Sequence, residues 1–549
     1  MPTPPGRPRR ASVAAALARS RLGVPQVLFF VLAAAAPMTV VASAVPTAYA
    51  VTGLPGVPVA YLATAAIMAL FAVGYVTMSR HVVNAGSMYA YVAHALGPAA
   101  GVAAAFVAVT AYAIMQIGLY GAFGVVAAGT AAALFGVSLP WWLWALAGWA
   151  LIAGLGPARV DLNGRVLGVL LVAEVGVVIA YDVVLAAHPA ASTILPVTYP
   201  LHPAHLLAPG IAAILVGGIA GYVGIEATTV LAEETRDPRR TVARATYLAI
   251  AVTAILYAGS AWAMAVATGA DRVVDTAARH GPDLMFALVA AHLPAAAVDA
   301  GRLLLATSLF AALLAFHNLV ARYLFALGRE RVLPARLGRT NRRTGAPALG
   351  SFTQTVLSAV VVIGYAVAGW DPIVHLFFWL TVTGGLGVLI LMTAATVSVL
   401  VFFHRHRHRH PHQQWQQHQH PHQRPQARRL GESRWSTLVA PGLALAVLTV
   451  VLAGTLIGFG DLLGAAPGSP VRWALPGLYA AAIAAGLTWA GVLRASRPHA
   501  YAAVGYGADA NVDTTRPAVP TPRPPSPPPS PPPSTTTPTP IPTRQETRP

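Results

Sequence analysis

The chain has 549 residues, 56% of them hydrophobic and only 10% charged, with a mean hydropathy of +0.62. A soluble protein carries about a quarter of its residues as Asp, Glu, Lys or Arg, so an ordinary water-soluble enzyme is excluded. Cysteine and lysine are both absent, which removes disulfides, thiolate metal sites, cysteine lipid anchors and any phosphate loop that needs its lysine. The net charge of +18 rests on arginines in short loops between apolar segments, so it reads as membrane topology rather than as a nucleic-acid surface.

Residues 1–23 form a basic amino-terminal tail. The run that follows imitates a secretory signal, ending in Thr47-Ala48-Tyr49-Ala50, but its length, its Pro37 and the apolar segments beyond it favour a first membrane helix. From residue 24 to 493 about 12 stretches are long enough to cross the hydrocarbon layer, at 24–50, 57–78, 99–128, 139–157, 163–187, 209–232, 242–268, 300–326, 349–369, 373–402, 437–462 and 473–493. The fold class expected is therefore an all-α polytopic membrane protein.

The arginines fall mainly on alternate loops and on the amino-terminal tail. Arg80, Arg159, the Arg236–Arg244 group, the Arg329–Arg343 group and the Arg405–Arg434 group mark one side; Arg272, Arg279, Arg302 and Arg472 mark the other. The positive-inside bias then puts both termini in the cytoplasm of a cell-membrane protein.

Two segments cannot pack a core. The cytoplasmic loop at 403–436 is rich in histidine from His404 to His422; it can be a metal-binding tract or a tolerated loop expansion without ligand geometry. The tail at 494–549, rich in Pro, Ser and Thr, reads as disordered. No resident metal or cofactor is expected.

Chemistry concentrates in two interrupted spans. Pro37 and Pro46 each remove a backbone donor from the first span, so Met38–Val45 cannot form a regular helix. In the sixth span Gly217, Gly218, Gly221 and Gly224 crowd together, each lowering helix propensity by up to ~1 kcal/mol relative to alanine. Either these residues only kink the helices, or the breaks expose amide and carbonyl groups that bind a small zwitterion without charged side chains. Candidate substrate-binding residues are Met38, Thr39, Val41, Ala42 and Ser43 of the first span and Gly217, Gly218, Ala220, Gly221 and Tyr222 of the sixth. On the third span Tyr112, Gln116 and Tyr120 share a face at four-residue spacing, and either line a pocket or tie helices together.

A charge at the bilayer centre costs roughly 3 kcal/mol on insertion scales unless it faces a cavity or a partner. Glu174 and Glu226 are the carboxylates placed inside spans near the breaks. Each is a candidate for proton coupling or gating, with a neutral interhelical tie as the alternative for Glu226.

Three segments carry a resemblance. Gly221-Tyr222-Val223-Gly224-Ile225-Glu226 with Leu231-Ala232-Glu233-Glu234-Thr235-Arg236-Asp237-Pro238-Arg239-Arg240-Thr241 resembles the signature of the amino acid-polyamine-organocation superfamily of permeases. Asn84-Ala85-Gly86-Ser87-Met88-Tyr89 and Arg322–Pro334 are similar to that superfamily too. The resemblance implies a leucine-transporter-like fold, with two inverted five-helix repeats, two additional helices, and substrate held at broken helices 1 and 6. It also implies that Glu174 lies near where some proton-coupled relatives carry a titratable group in place of sodium, and that Thr307 and Ser308 lie where sodium binds in sodium-coupled members. In place of the glycine-rich break of many relatives, this first span has Pro37-Met38-Thr39-Val40-Val41-Ala42-Ser43. The function expected is import of an amino acid or related small amine by alternating access, coupled to protons. Sodium symport, solute exchange and a transporter-like nutrient sensor stand as alternatives, and an intramembrane enzyme is the weakest. The expected partners are that small molecule, a proton or sodium ion, and the lipid bilayer.

Overall fold

The computed structural model describes residues 22–158, 160–191, 195–208, 210–341, 343–408 and 432–507. Residues 508–549 lie outside the described residues, as does the histidine-rich stretch from 409 to 431. Among the described residues the secondary structure is helical, apart from a single bridge between Leu22 and Thr235.

Helix occurs at each of the 12 expected positions, and among the described residues 10 helices are long and apolar enough to cross a membrane. The fourth, Trp141–Leu155, has only 15 residues, and the sixth is divided into Ile211–Gly221 and Ala227–Val230. The third, Pro98–Phe135, exceeds its expected bounds. Helices that the apolar runs do not reveal fill the loops: Met88–Leu96, Val273–His280 and Leu284–Ala290.

The third span lies at the centre and packs against the fourth, eighth, tenth and twelfth. Small residues allow the approach: a Cβ on Gly486 of the twelfth span would lie 2.6 Å from Ala103 Cα, and one on Gly350 of the ninth would lie 2.7 Å from Ala321 O. Large apolar side chains point outward from peripheral helices, among them Val169 (72% exposed), Val360 and Val450. Such a surface is expected where the solvent is lipid.

The first span, Val24–Thr52, breaks at one residue. Ala36 adopts a left-handed conformation (φ 46°) and ends Val24–Ala35, since Pro37 has no N–H to continue the ladder. Beyond it the chain resumes as helix over Pro37–Thr39, against the expectation of irregularity throughout Met38–Val45. The irregular part is narrower: Val40–Ala44 widens into a π-helix, with the Val45 amide reaching back to Val40 O. A wider turn accommodates Pro46, which cannot donate to the preceding turn and would crowd it in a regular helix.

The sixth span breaks later than its glycines suggest. Gly217, Gly218 and Gly221 lie within Ile211–Gly221, and the chain turns over 222–226. Gly224 is the glycine that the turn requires, with φ +115°; a Cβ there would also meet Ala34 C and Ala35 N at 3.2 Å. The two breaks therefore touch backbone to backbone.

Candidate substrate cavity between the broken helices

Between the two interrupted spans lies a cavity of about 190 Å³. Its first-span wall runs from Ala34–Ala36 through Thr39 and Ser43 to Val51 and Thr52, and Val51 is 64% exposed. It thus reaches the end of the bundle opposite the arginine-rich loops. Gly217, Ala220 and Gly221 supply the sixth-span wall, Met115 and Leu119 the third, Phe316 the eighth, and Phe377, Phe378 and Thr381 the tenth.

Of the residues singled out in the sequence, Thr39, Ser43, Gly217, Ala220 and Gly221 line this cavity; Met38, Val41, Ala42, Gly218, Tyr222, Tyr112 and Gln116 do not. Met38, Val41 and Ala42 are fully buried on the far side of their helix. Gly218 faces Thr64, and Tyr222 packs edge-on against Tyr257 with centroids 5.5 Å apart. On the third span the cavity-facing side is displaced from the one expected. Gln116 is held in a buried network instead: its Nε2 lies 3.3 Å from His317 Nδ1 and 3.4 Å from Tyr120, while its Oε1 accepts from Gln354 Nε2 at 2.6 Å. His317 Nε2 lies 2.7 Å from Ser351 Oγ, so the cluster ties spans three, eight and nine. Polar residues are bound helix to helix here, and the apolar Met115 and Leu119 between them face the void.

The polar groups at the breaks are few and placed. The Tyr257 hydroxyl lies 2.9 Å from both Ala35 O and Gly221 O, one carbonyl from each break. A phenol has one hydrogen to donate, so at any moment one of those carbonyls needs another donor. Thr39 Oγ1, which belongs to the cavity wall, is buried without a hydrogen-bond partner. Both observations leave spare hydrogen-bonding capacity at the breaks, beside the cavity.

Glu174 lies behind the first span rather than in the cavity. Its Oε1 accepts from the Met38 amide at 2.5 Å and from Ser308 Oγ at 2.8 Å, so one carboxyl joins the fifth span, the resumed half of the first and the eighth. Ser308 is 1% exposed, whereas Thr307 turns back to bond Leu304 O and does not join this cluster. Glu226 sits in the sixth-span turn, with Oε2 accepting from the Gly224 amide at 3.0 Å and Oε1 without a partner. The buried rings of Tyr112, Tyr323 and Tyr89 follow it toward the arginine-rich end.

That end is closed, and the three motif segments close it together. Arg322 Nε donates to Glu234 Oε1 at 2.6 Å, with side chains 3% and 2% exposed. Arg329 makes two 2.7 Å bonds to Glu233, whose Oε1 also accepts from the Ala85 amide. Asn84 donates to Glu330 Oε1 at 2.9 Å. Leu22 pairs with the same loop through Glu234 O and the Arg236 amide. These ion pairs went unrecognised in the sequence although every partner lies within a motif.

Residues after the last span complete this cluster. Pro498–Ala502 is helical, and the amides of Gly505 and Gly507 donate to Glu330 at 2.9 and 2.8 Å. The described part of the segment from 494 onward is thus packed against the bundle, and 508–549 lie outside the described residues. Burial pushes the Glu330 carboxyl above the ordinary glutamate range, opposed chiefly by the bonds from Gly505, Asn84 and Gly507.

Among the described residues no cluster of three His, Asp or Glu side chains has a metal-binding arrangement. Comparison with curated proteins gives no match. The family model described as amino acid permease matches residues 26–415, a stretch that contains both breaks, Glu174, the three motif segments and all of the cavity wall except Leu462. The chain is thus a multi-pass membrane transporter and belongs to the amino acid permease family.

Proposed function

We propose that the protein imports an amino acid across the cell membrane by alternating access, in symport with protons, with the arginine-rich end in the cytoplasm. The cavity reaching the opposite end is then the outward-open route, and the Arg322–Glu234 and Arg329–Glu233 pairs are the closed inner gate. The substrate ammonium is accepted by the carbonyls of Ala35 and Gly221 and by Thr39, and Ser43 and Gly221 allow close approach. The breaks carry these roles because half-helix ends offer partial charges without a charged side chain.

The single observation that carries the proton coupling is the Glu174 carboxyl, held by the Met38 amide and Ser308 Oγ. As a carboxylate it accepts both bonds and fastens the first-span break to the eighth span. Once protonated it has weaker acceptors to offer, and that joint loosens. A proton can therefore do at this joint what a bound cation does elsewhere. Glu226, buried at the sixth-span turn, serves as a gate on the inner route.

The test is sodium-free uptake of labelled amino acids into vesicles under an imposed pH gradient, comparing wild type, Glu174→Gln and Glu226→Gln. Glu174→Gln should abolish accumulation yet retain exchange of substrate across the membrane. If Glu174→Gln still concentrates substrate, Glu174 is not the proton carrier. A wild type that responds only to sodium overturns proton coupling and leaves the Glu174–Ser308 joint as a cation site.

A further inference from the structure

We infer that the cavity selects amino acids with neutral, apolar side chains of leucine to phenylalanine size, and that Gly217 sets the upper limit of that size. The inference rests on the permease reading and narrows it to a substrate class. Among the described residues, none that lines the cavity is Asp, Glu, Arg or His. The hydroxyls of Thr39, Ser43 and Thr47 lie along the first span, where the break carbonyls already mark a place for the α-ammonium. The facing wall is built from Met115, Leu119, Phe316, Phe377 and Phe378, with the uncharged hydroxyl of Thr381 beside them. A bound amino acid is thereby oriented with its zwitterionic end at the two breaks, by Ala35, Thr39 and Gly221, and its side chain toward sulfur, rings and Gly217, one turn before Gly221 on the sixth span.

A charged side chain has no partner on that wall. While the outer end stays open, water can solvate it, but transport requires the cavity to close, and closure strips that water away. A desolvated, unpaired ion is disfavoured by several powers of ten, whereas an apolar side chain gains from the same burial. Polyamines fare worse still, since each ammonium needs an acceptor and Glu174 and Glu226 are both outside the wall. Size follows from volume: about 190 Å³ has room for roughly 13–19 water-sized groups, enough for a phenylalanine and excessive for glycine. Gly217 is where that volume can be reduced from the protein side, because a Cβ built there meets nothing within 4 Å.

The experiment uses the purified full-length chain and measures thermal shift and competition binding with L-leucine, L-phenylalanine, L-alanine, L-glutamate, L-arginine and putrescine. L-leucine and L-phenylalanine should bind at least about a hundredfold more tightly than L-glutamate, L-arginine and putrescine. In Gly217→Val, L-phenylalanine should weaken by about tenfold or more while L-alanine changes little, a selective loss that general misfolding does not produce. If L-glutamate or L-arginine binds as tightly as L-leucine, the specificity inference falls and the permease reading stands. Equal losses for L-alanine and L-phenylalanine in Gly217→Val overturn the role of Gly217. If no amino acid of any class binds, the permease reading fails and takes this inference with it.

Discussion

Removing the Arg322 side chain should open the arginine-rich end of the protein. Arg322 donates to Glu234 at 2.6 Å and to Asn318 O and Oδ1 at 3.1 and 3.3 Å, and both charged side chains are almost wholly buried, so solvent screening gives no discount. Truncating one partner of such a pair leaves an unpaired buried carboxylate and costs about 3–5 kcal/mol, or roughly a hundred- to several-thousandfold in an equilibrium. Under alternating access that loss falls on the inner-closed arrangement, because the open arrangement hydrates both groups. The natural absence of cysteine makes the assay direct. Ala315→Cys places a single thiol in the small void beside Arg322, 6% exposed at present. Its labelling rate by a polar maleimide should rise at least about a hundredfold in Arg322→Ala. Arg322→Met with Glu234→Met, which replaces the pair by packed apolar groups, should return labelling near the parent rate, since such swaps are often neutral or stabilising. An unchanged rate in Arg322→Ala, or equally fast labelling in the double variant, refutes the argument that the pair holds this end shut.

Three further outcomes follow from the geometry. Gly224→Ala forces a side chain to φ +115° and into Ala34, so it should lower the thermal midpoint in detergent by an amount equivalent to about 1–3 kcal/mol or more, whereas Gly217→Ala, in open space, should be near neutral. Truncation after Gly507 should leave the midpoint unchanged, but truncation after Arg497 strips two amide donors from the buried Glu330 and should destabilise by about 1–3 kcal/mol for each group left unsatisfied. His94, whose Nε2 lies 3.0 Å from Gly505 O, is held below its ordinary value of 6.5 by burial, opposed by that bond. Its contribution is therefore present above pH 6.5 and is lost as pH falls through that value toward the lower folded one, so His94→Gln should flatten the acid side of a midpoint-against-pH curve.

The helical class and the broken first span are legible because their signals are local: long apolar runs, and a proline whose missing donor must end a turn. The sixth-span break is displaced because glycine propensity is a weak constraint inside a packed bundle. Gly217, Gly218 and Gly221 stay helical, and only Gly224, pressed against Ala34, gives up the ladder. Which third-span residues meet the cavity is hard to read for a related reason. Gln116 attracts notice by being polar, yet a membrane interior binds polar groups to one another; Tyr112 packs its ring against Phe316 and Tyr323, and the void is left to Met115 and Leu119. What pairs with Glu174 is not legible from local pattern, since Met38 and Ser308 stand 136 and 134 residues away in the chain; only the resemblance, through the sodium position, brings Ser308 near it.

Under the proposed alternating-access reading, the two ends of the substrate route are built from different materials, and the difference has a physical reason. The cavity wall is uncharged, so a ligand entering it meets short-range acceptors and dispersion contacts that it can later leave. The arginine-rich end is fastened by ion pairs and by amides on Glu330, interactions that are strong when dry and weak when wet. Water admitted from that end replaces each charged contact with hydration at little net cost, so the fastening is reversible by solvent itself. Apolar packing there, stable in either protonation state of Glu174, gives water no such leverage. The motif segments carrying Asn84, Glu233, Glu234, Arg322 and Arg329 are thus explained by one requirement: a closure whose strength depends on whether the route beneath it is dry.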